Sequence, residues 1–182
     1  FREWFPDDQG ENTITWTERL PDEFYKQYGY SILDHLPEIA YDLANETVSQ
    51  ARYHYHCCKT SMFINAYAKQ IGQWCQKHKL LFTGHVLEEE PLSNNASMVG
   101  TSMRFYPYMH APGTDVLTQY DQAYMTVKQC ASVARQMGRK WLLSELYAGI
   151  GWDSTFENFK HVGDWQAALG ITLRCPHLSF YS

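Results

Sequence analysis

The sequence lacks several features that would place a protein in a class at once. Its 182 residues contain no block of basic residues, and the net charge of −5 gives no reason to expect a nucleic-acid partner. No apolar run approaches the roughly 20 residues that a membrane-spanning helix needs, and no signal-peptide pattern follows Phe1. We therefore expect a globular domain that binds neither nucleic acid nor membrane.

Cysteine pairs are also lacking. The five cysteines contain no CxxC motif, and Cys57 and Cys58 are sequence neighbours, which rarely bridge to each other. The histidines near them do not complete a usual zinc-ligand spacing, so motifs alone predict no metal ligand and no cofactor. Unpaired thiols favour the cytoplasm, while a secreted or periplasmic location stays open.

Aromatic residues, in contrast, are abundant. They make up 15% of the chain, with six Trp, thirteen Tyr and nine Phe. Aromatic rings stack on the apolar faces of sugars, so this composition favours a carbohydrate enzyme. A core and surface rich in tyrosine is the alternative explanation.

From residue 80 onwards, short apolar runs alternate with helical periodicities. Strands are predicted over 80–84, 102–108, 141–144 and 171–175, a turn-rich loop over 109–115, and helices over 116–137 and 154–169. Upstream, short helices near 22–28 and after Pro37 and a long amphipathic helix over about 46–79 form a helical N-terminal section. The length of the last helix predicts a bend at Gly72 or near Arg52. Alternation of strands with helices is typical of parallel βα units.

A complete (β/α)8 barrel needs roughly 250 residues, and the predicted strands make about half of one. We therefore predict an α/β fold, a partial (β/α)8 TIM barrel with a helical N-terminal section; a compact open α/β sheet is the alternative. Residues 1–182 would be a single catalytic-domain fragment of a larger polypeptide, an interpretation that the missing initiator Met supports. A half barrel exposes sheet edges, which favours low stability or activity of the fragment alone.

Glu145 is the most informative single residue. It directly follows the apolar run at 141–144, where a buried carboxylate costs free energy unless it has a use. Polar or aromatic groups follow every predicted strand, and the full set is His85 and Glu88, His110 and Asp115, Glu145 with Tyr147 and Trp152, and His177. Because the carboxyl ends of parallel strands share one rim, we expect these side chains to face one cleft.

Two carboxylates on one rim suit glycoside hydrolysis. One acid protonates the leaving oxygen, and the other attacks the anomeric carbon or activates water. Glu88 is the member of the run 88–90 closest to the predicted strand, and we pair it with Glu145. Asp115 is interpreted instead as the N-cap of a helix that starts at Val116.

A family resemblance supports this chemistry. The segments DEFYKQYGYSILDHLP, ARYHYHCCKTSMFINAYAKQIGQWCQKHKLLFTGHVLEEEP, MHAPGTD, LLSELYAG and DWQAALGI together resemble bacterial (β/α)8 glycoside hydrolases of the α-L-rhamnosidase-like type, family 106 and its relatives. The resemblance implies hydrolysis of plant or microbial glycans, an inverting mechanism and calcium as a cofactor. It implies Glu145 and Glu88 as the catalytic carboxylates.

The same resemblance implies an oligosaccharide or glycoside as the binding partner. Sugar contacts are then expected at His85, His110 and His177, and Tyr147 and Trp152 join them as predicted substrate-binding residues. Two other functions stay open. One is a non-catalytic carbohydrate-binding barrel, and the other is a metal-dependent hydrolase that uses the three histidines.

Overall fold

The computed structural model describes residues 14–42, 44, 48–87, 89–117, 123–149 and 151–178. These residues form a mixed α/β fold around a four-stranded parallel sheet with strand order β1-β2-β3-β4. The strands are β1 (Thr83–Gly84), β2 (Ala111–Asp115), β3 (Leu143–Leu146) and β4 (Leu173–Pro176). Within the described part of the chain, no helix combines the length and apolar character needed to cross a membrane.

Helices precede the sheet and connect its strands. The helices are α1 (Leu20–Tyr28), α2 (Leu36–Ala40), α3 (Gln50–Phe63), α4 (Lys69–Lys77), α5 (Leu92–Met98), α6 (Ser102–Phe105), α7 (Tyr124–Gln136) and α8 (Phe156–Leu169), with 3-10 turns at Ile32–His35 and Tyr106–Tyr108. Helix α7 links β2 to β3, and α8 links β3 to β4. The predicted parallel βα units are therefore confirmed for this half of the chain.

The strand predicted over 102–108 is wrong. Residues 102–108 form α6 and a 3-10 turn, and the second strand is β2, which begins at Ala111. Pro112 and Gly113 are typical turn residues, but here they are buried and lie in a strand that is paired on both sides. Tertiary packing overrides the local turn preference, and this moves the strand by about nine residues.

The long helix predicted over 46–79 is interrupted. Helices α3 and α4 are joined by five π-helical residues, Ile64–Ala68, and the helix begins after Ser49, whose side-chain oxygen accepts a hydrogen bond from the amide of Arg52. A bend was expected near Gly72 or Arg52. The structure gives Gly72 a packing role instead, because a Cβ atom there would lie 2.5 Å from the carbonyl oxygen of Tyr108.

Two apolar clusters stabilise the fold. The larger lies between the sheet and the helices around it, and its wholly buried members include Ala68, Val127 and Cys130. The smaller belongs to the helical N-terminal section, where Phe24 and Ile32 have no exposed surface. The helical section thus packs through a core of its own, as expected for a section that precedes the sheet.

Gly113 is a point where the sheet has no room for a side chain. A Cβ atom at this position would lie 2.3 Å from the carbonyl oxygen of Gly84 and 3.2 Å from the Cβ atom of Leu143. We expect Gly113→Ala to lower the free energy of unfolding by about 1–3 kcal/mol, because backbone on one side and a neighbouring strand on the other must shift. Urea unfolding followed by circular dichroism measures the change.

Gly151→Ala is the matched control. The atom nearest to the added Cβ would be a carboxylate oxygen of Asp153 at 2.3 Å. This oxygen is the end of a flexible side chain that can rotate away. A loss of stability as large at residue 151 as at residue 113 would contradict the steric explanation.

Candidate functional site

Four side chains meet at the carboxyl edge of the sheet, and we call them the rim cluster: His85, Asp115, Glu145 and His177. His85 follows β1, Asp115 ends β2, Glu145 lies in β3 and His177 follows β4. Asp115 and Glu145 are opposite each other in the parallel register. Each of the four strands therefore delivers one ionisable group to the same edge.

Glu145 lies at the centre of the rim cluster. Its Oε2 atom is 3.3 Å from Nε2 of His85, and its Oε1 atom is 3.8 Å from Nε2 of His177. Nε2 of His85 is also 3.9 Å from Oδ2 of Asp115. All four side chains are only partly buried, so the cluster is open to a ligand.

The orientation of both imidazoles follows from backbone contacts. Nδ1 of His85 is 3.1 Å from the carbonyl oxygen of Val86, and Nδ1 of His177 is 2.9 Å from that of Leu178. A carbonyl oxygen only accepts hydrogen bonds, so Nδ1 is the donor in each ring. When the rings are neutral, the lone pair therefore lies on Nε2, the atom that faces Glu145.

The charge state of His85 responds to the carboxylates around it. Burial alone would lower its pKa, but the hydrogen bond to Val86 and the negative charges of Asp115, Glu89 and Glu145 together raise it. The rim cluster thus favours a cation between its acids, either the imidazolium of His85 or a bound ligand.

Glu89 is a buried residue next to the rim cluster. It is only 6% exposed, and its carboxylate accepts hydrogen bonds from the hydroxyl of Tyr106 at 2.8 Å and from the amide of Asp115 at 2.8 Å. A third donor, the amide of Val86, is 3.5 Å away. Burial raises the pKa of Glu89 to about 7. Through these hydrogen bonds, Glu89 fixes the backbone at Asp115 and at the residue after His85.

The predicted pair of acids changes in two ways. Glu88 lies outside the described residues, so its predicted catalytic role stays a prediction. Asp115 is not the N-cap of a helix, because it ends β2 and α7 begins only at Tyr124. The acid that accompanies Glu145 on the described rim is thus Asp115.

The predicted position of His110 at this rim is wrong. It precedes β2 instead of following a strand, and its Nδ1 atom accepts a hydrogen bond from the amide of Phe82 at 3.0 Å. Phe82 precedes β1, so His110 lies at the amino edge of the sheet. Burial and the nearby charge of Arg139 lower its pKa. The error follows directly from the strand misplaced over 102–108.

The aromatic residues after β3 do not join the cluster. The backbone of Tyr147 has a φ of 71°, and its ring packs edge-on against Phe159 of α8 at 5.1 Å. Its hydroxyl lies against Gly163, where an added Cβ atom would be 2.6 Å away. The predicted sugar contact at Tyr147 gains no support from this packing. Trp152 is fully exposed, and its predicted contact stays a prediction.

A cavity of about 400 Å³ opens beside His85. Three of its lining rings, Phe63, Tyr67 and Phe105, lie with their centres between 5.4 and 5.7 Å apart. Phe63 ends α3 and Tyr67 lies in the π-helical stretch that follows. This stretch thus helps to place an aromatic wall next to the rim cluster, a feature that no local motif predicted.

Sequence reasoning identified two residues of the site incompletely or not at all. Asp115 was among the groups expected at the rim, but the helix-cap interpretation was preferred because β2 was misplaced. Glu89 is one of three consecutive glutamates, and nothing in the sequence distinguishes the buried one from its neighbours. A scan against protein-family models finds no match for this chain, and a search of curated proteins finds none either.

Proposed function

We propose that this chain is part of a (β/α)8-barrel glycoside hydrolase in which Glu145 is the central catalytic carboxylate. The observation that carries the proposal is the convergence of His85, Asp115, Glu145 and His177 from four consecutive parallel strands. In α/β barrels the carboxyl ends of the strands carry the catalytic residues. Glycosidases use a pair of carboxylates, and the rim cluster contains such a pair.

Asp115 is the proposed partner of Glu145. An oxygen of each carboxylate lies within 4.8 Å of the other. Retaining glycosidases hold their two carboxyl groups about 5–5.5 Å apart, whereas inverting ones leave about 6.5–9.5 Å for a water molecule. The stereochemistry of the first-formed product therefore distinguishes a retaining mechanism from the inversion that the family resemblance implies.

His85 and His177 position Glu145 in this proposal. Each imidazole faces one oxygen of the Glu145 carboxylate. When His85 is protonated, its Nε2 at 3.3 Å can donate to this carboxylate, and a carboxylate that is held in place loses less conformational entropy when the substrate binds. The aromatic wall beside His85 offers a surface on which a sugar ring can stack, which supports an oligosaccharide or glycoside as substrate.

Asp115→Asn tests the pairing. We expect kcat/KM for an aryl glycoside to fall by about 100-fold or more, because one of the two acids loses its ability to exchange a proton. Hydrolysis is measured by release of the aryl group, and nuclear magnetic resonance of the first-formed sugar anomer reports retention or inversion. Asp164→Asn, on the exposed face of α8, is the control. Equal rates in both variants would refute the pairing.

A metal-dependent hydrolase is the second candidate. The three-histidine form of this function does not fit, because His110 lies at the opposite edge of the sheet from His85 and His177. The close group of His85, Asp115 and Glu145 favours instead a metal site made of one histidine and two carboxylates. Activity that disappears with a chelator and returns with metal would favour this candidate.

A further inference from the structure

Three donor atoms converge on one point of the rim. Within the described residues, His85, Asp115 and Glu145 form a group in which one possible ligand atom from each lies within 4.8 Å of the other two. Nε2 of His85 is 3.3 Å from Oε2 of Glu145 and 3.9 Å from Oδ2 of Asp115. Tetrahedral zinc with bonds of about 2.0–2.2 Å places neighbouring ligand atoms about 3.3–3.6 Å apart. The first distance already suits this geometry, the second must shorten by about 0.3–0.6 Å, and the ligand atoms of Asp115 and Glu145 start within 4.8 Å of each other.

Hydrogen bonds hold two of the three ligand residues. Nδ1 of His85 donates to the Val86 carbonyl oxygen, which directs Nε2 to the point of convergence. The amide of Asp115 donates to buried Glu89. Residues that bind a metal are usually oriented by such secondary hydrogen bonds, and in this site they fix the ring of His85 and the backbone of Asp115.

The donor types distinguish between metals. Calcium takes six to eight oxygen ligands, and the group formed by His85, Asp115 and Glu145 offers a nitrogen and two carboxylates. The calcium implied by the family resemblance therefore does not fit this group. A neutral imidazole together with carboxylates suits zinc and related transition metals.

We infer that His85, Asp115 and Glu145 bind a divalent transition metal of the zinc class at the carboxyl edge of the sheet, an inference that rests on the second candidate function, the metal-dependent hydrolase, because carboxylates bound to a metal cannot also act as the acid and nucleophile of a glycosidase. His85 supplies Nε2, and Asp115 and Glu145 supply one oxygen each. Three protein ligands leave a coordination position open to water or to a ligand hydroxyl. The second oxygen of Glu145 faces His177 and stays outside the coordination group.

The competing explanation is a simple ion cluster. A protonated His85 paired with Asp115 and Glu145 would satisfy the same charges without any metal. Protons and metal compete for Nε2, so zinc binding at this site must release protons when His85 is protonated beforehand. An ion cluster alone predicts neither saturable zinc binding nor proton release.

The test uses the purified chain, freed of metal by a chelator and dialysis. Zinc is titrated by calorimetry in two buffers of different ionisation enthalpy, and cobalt is added separately to record its absorption spectrum. We expect one zinc equivalent per chain with proton release, and a cobalt spectrum without thiolate bands. His85→Gln and Asp115→Asn should each weaken zinc binding by more than the roughly 10- to 100-fold that loss of an outer-shell partner costs.

Two controls separate this site from other donors. His161→Gln removes an exposed histidine on α8, and Cys175→Ser removes an exposed thiol. Both should bind zinc as the native chain does. Circular dichroism of the metal-free variants checks that they fold, and a further variant, Glu145→Gln, repeats the test at a third ligand.

The site is refuted if the ligand variants bind zinc as tightly as the native chain, or if calcium binds to this group and zinc does not. This outcome is distinct from failure of the proposed function. Zinc binding in a chain that hydrolyses no glycoside would overturn the hydrolase and leave the metal site. Hydrolysis of a glycoside by a chain that does not bind zinc would overturn the metal site and leave the hydrolase.

Discussion

The Glu145→Gln variant should hydrolyse an aryl glycoside about 100- to 10,000-fold more slowly than the native chain. Glutamine keeps the shape of the side chain but can neither accept a proton nor attack the anomeric carbon. The affinity for an unreactive sugar should change little, because the aromatic wall beside His85 remains and glutamine has the shape of glutamate. A loss confined to kcat identifies an interaction made in the transition state.

Steady-state kinetics and sugar titration of the same preparation measure the two effects. Glu157→Gln is the matched control, since Glu157 is an exposed residue in the first turn of α8. A Glu145→Gln variant with native turnover would refute the catalytic role. If turnover and sugar binding are both lost while the fold is intact, Glu145 contributes to binding, and the carbohydrate-binding alternative gains support.

Glu89→Gln should change the dependence of stability on pH. Burial raises the pKa of Glu89 from 4.5 to about 7 in the folded chain. The folded state therefore holds the proton more tightly than the unfolded chain does. The stabilisation from this group is fully present below about pH 4.5 and is lost as the pH rises through about 7.

The size of the effect follows from the shift in pKa. Each pKa unit corresponds to about 1.4 kcal/mol, so the native chain should lose about 3 kcal/mol between pH 4.5 and pH 8 through Glu89. Glutamine has no proton to lose, and its amide can still accept from Asp115 and donate to Tyr106. The variant should match the native chain at pH 5 and be more stable at pH 8.

Urea unfolding at both pH values measures this difference. Glu157→Gln again serves as the control for the loss of an exposed carboxylate. Glu89→Ala should instead destabilise the chain at both pH values by about 2–4 kcal/mol, because the Tyr106 hydroxyl and the Asp115 amide lose a buried acceptor. An equal pH dependence in native and Glu89→Gln chains would contradict the buried proton.

Local sequence signals located several elements well. Gly29 and Gly170 end α1 and α8 in the left-handed conformation, as expected where a helix stops at glycine. The strand predicted over 141–144 is present as β3 and lies two residues further on. These features depend on the chain's own periodicity and on glycine's freedom at positive φ, and both can be read along the sequence.

Errors arose where distant contacts outweigh local preference. Ala111–Asp115 contains Pro and Gly and was predicted as a turn, yet neighbouring strands on both sides make it β2. With that strand displaced, His110 was assigned to the wrong edge of the sheet and Asp115 to a helix cap. One misplaced strand therefore accounts for both errors.

By itself, the sequence placed Glu145 at the carboxyl end of a strand in a parallel α/β arrangement, because a short apolar run between helical segments is typical of such a strand. Only the tertiary structure decided its partners. Asp115, His85 and His177 are 30, 60 and 32 residues away from Glu145 in sequence, and strand register brings them together. Register depends on which strands pair, and this pairing is set by packing between segments far apart along the chain.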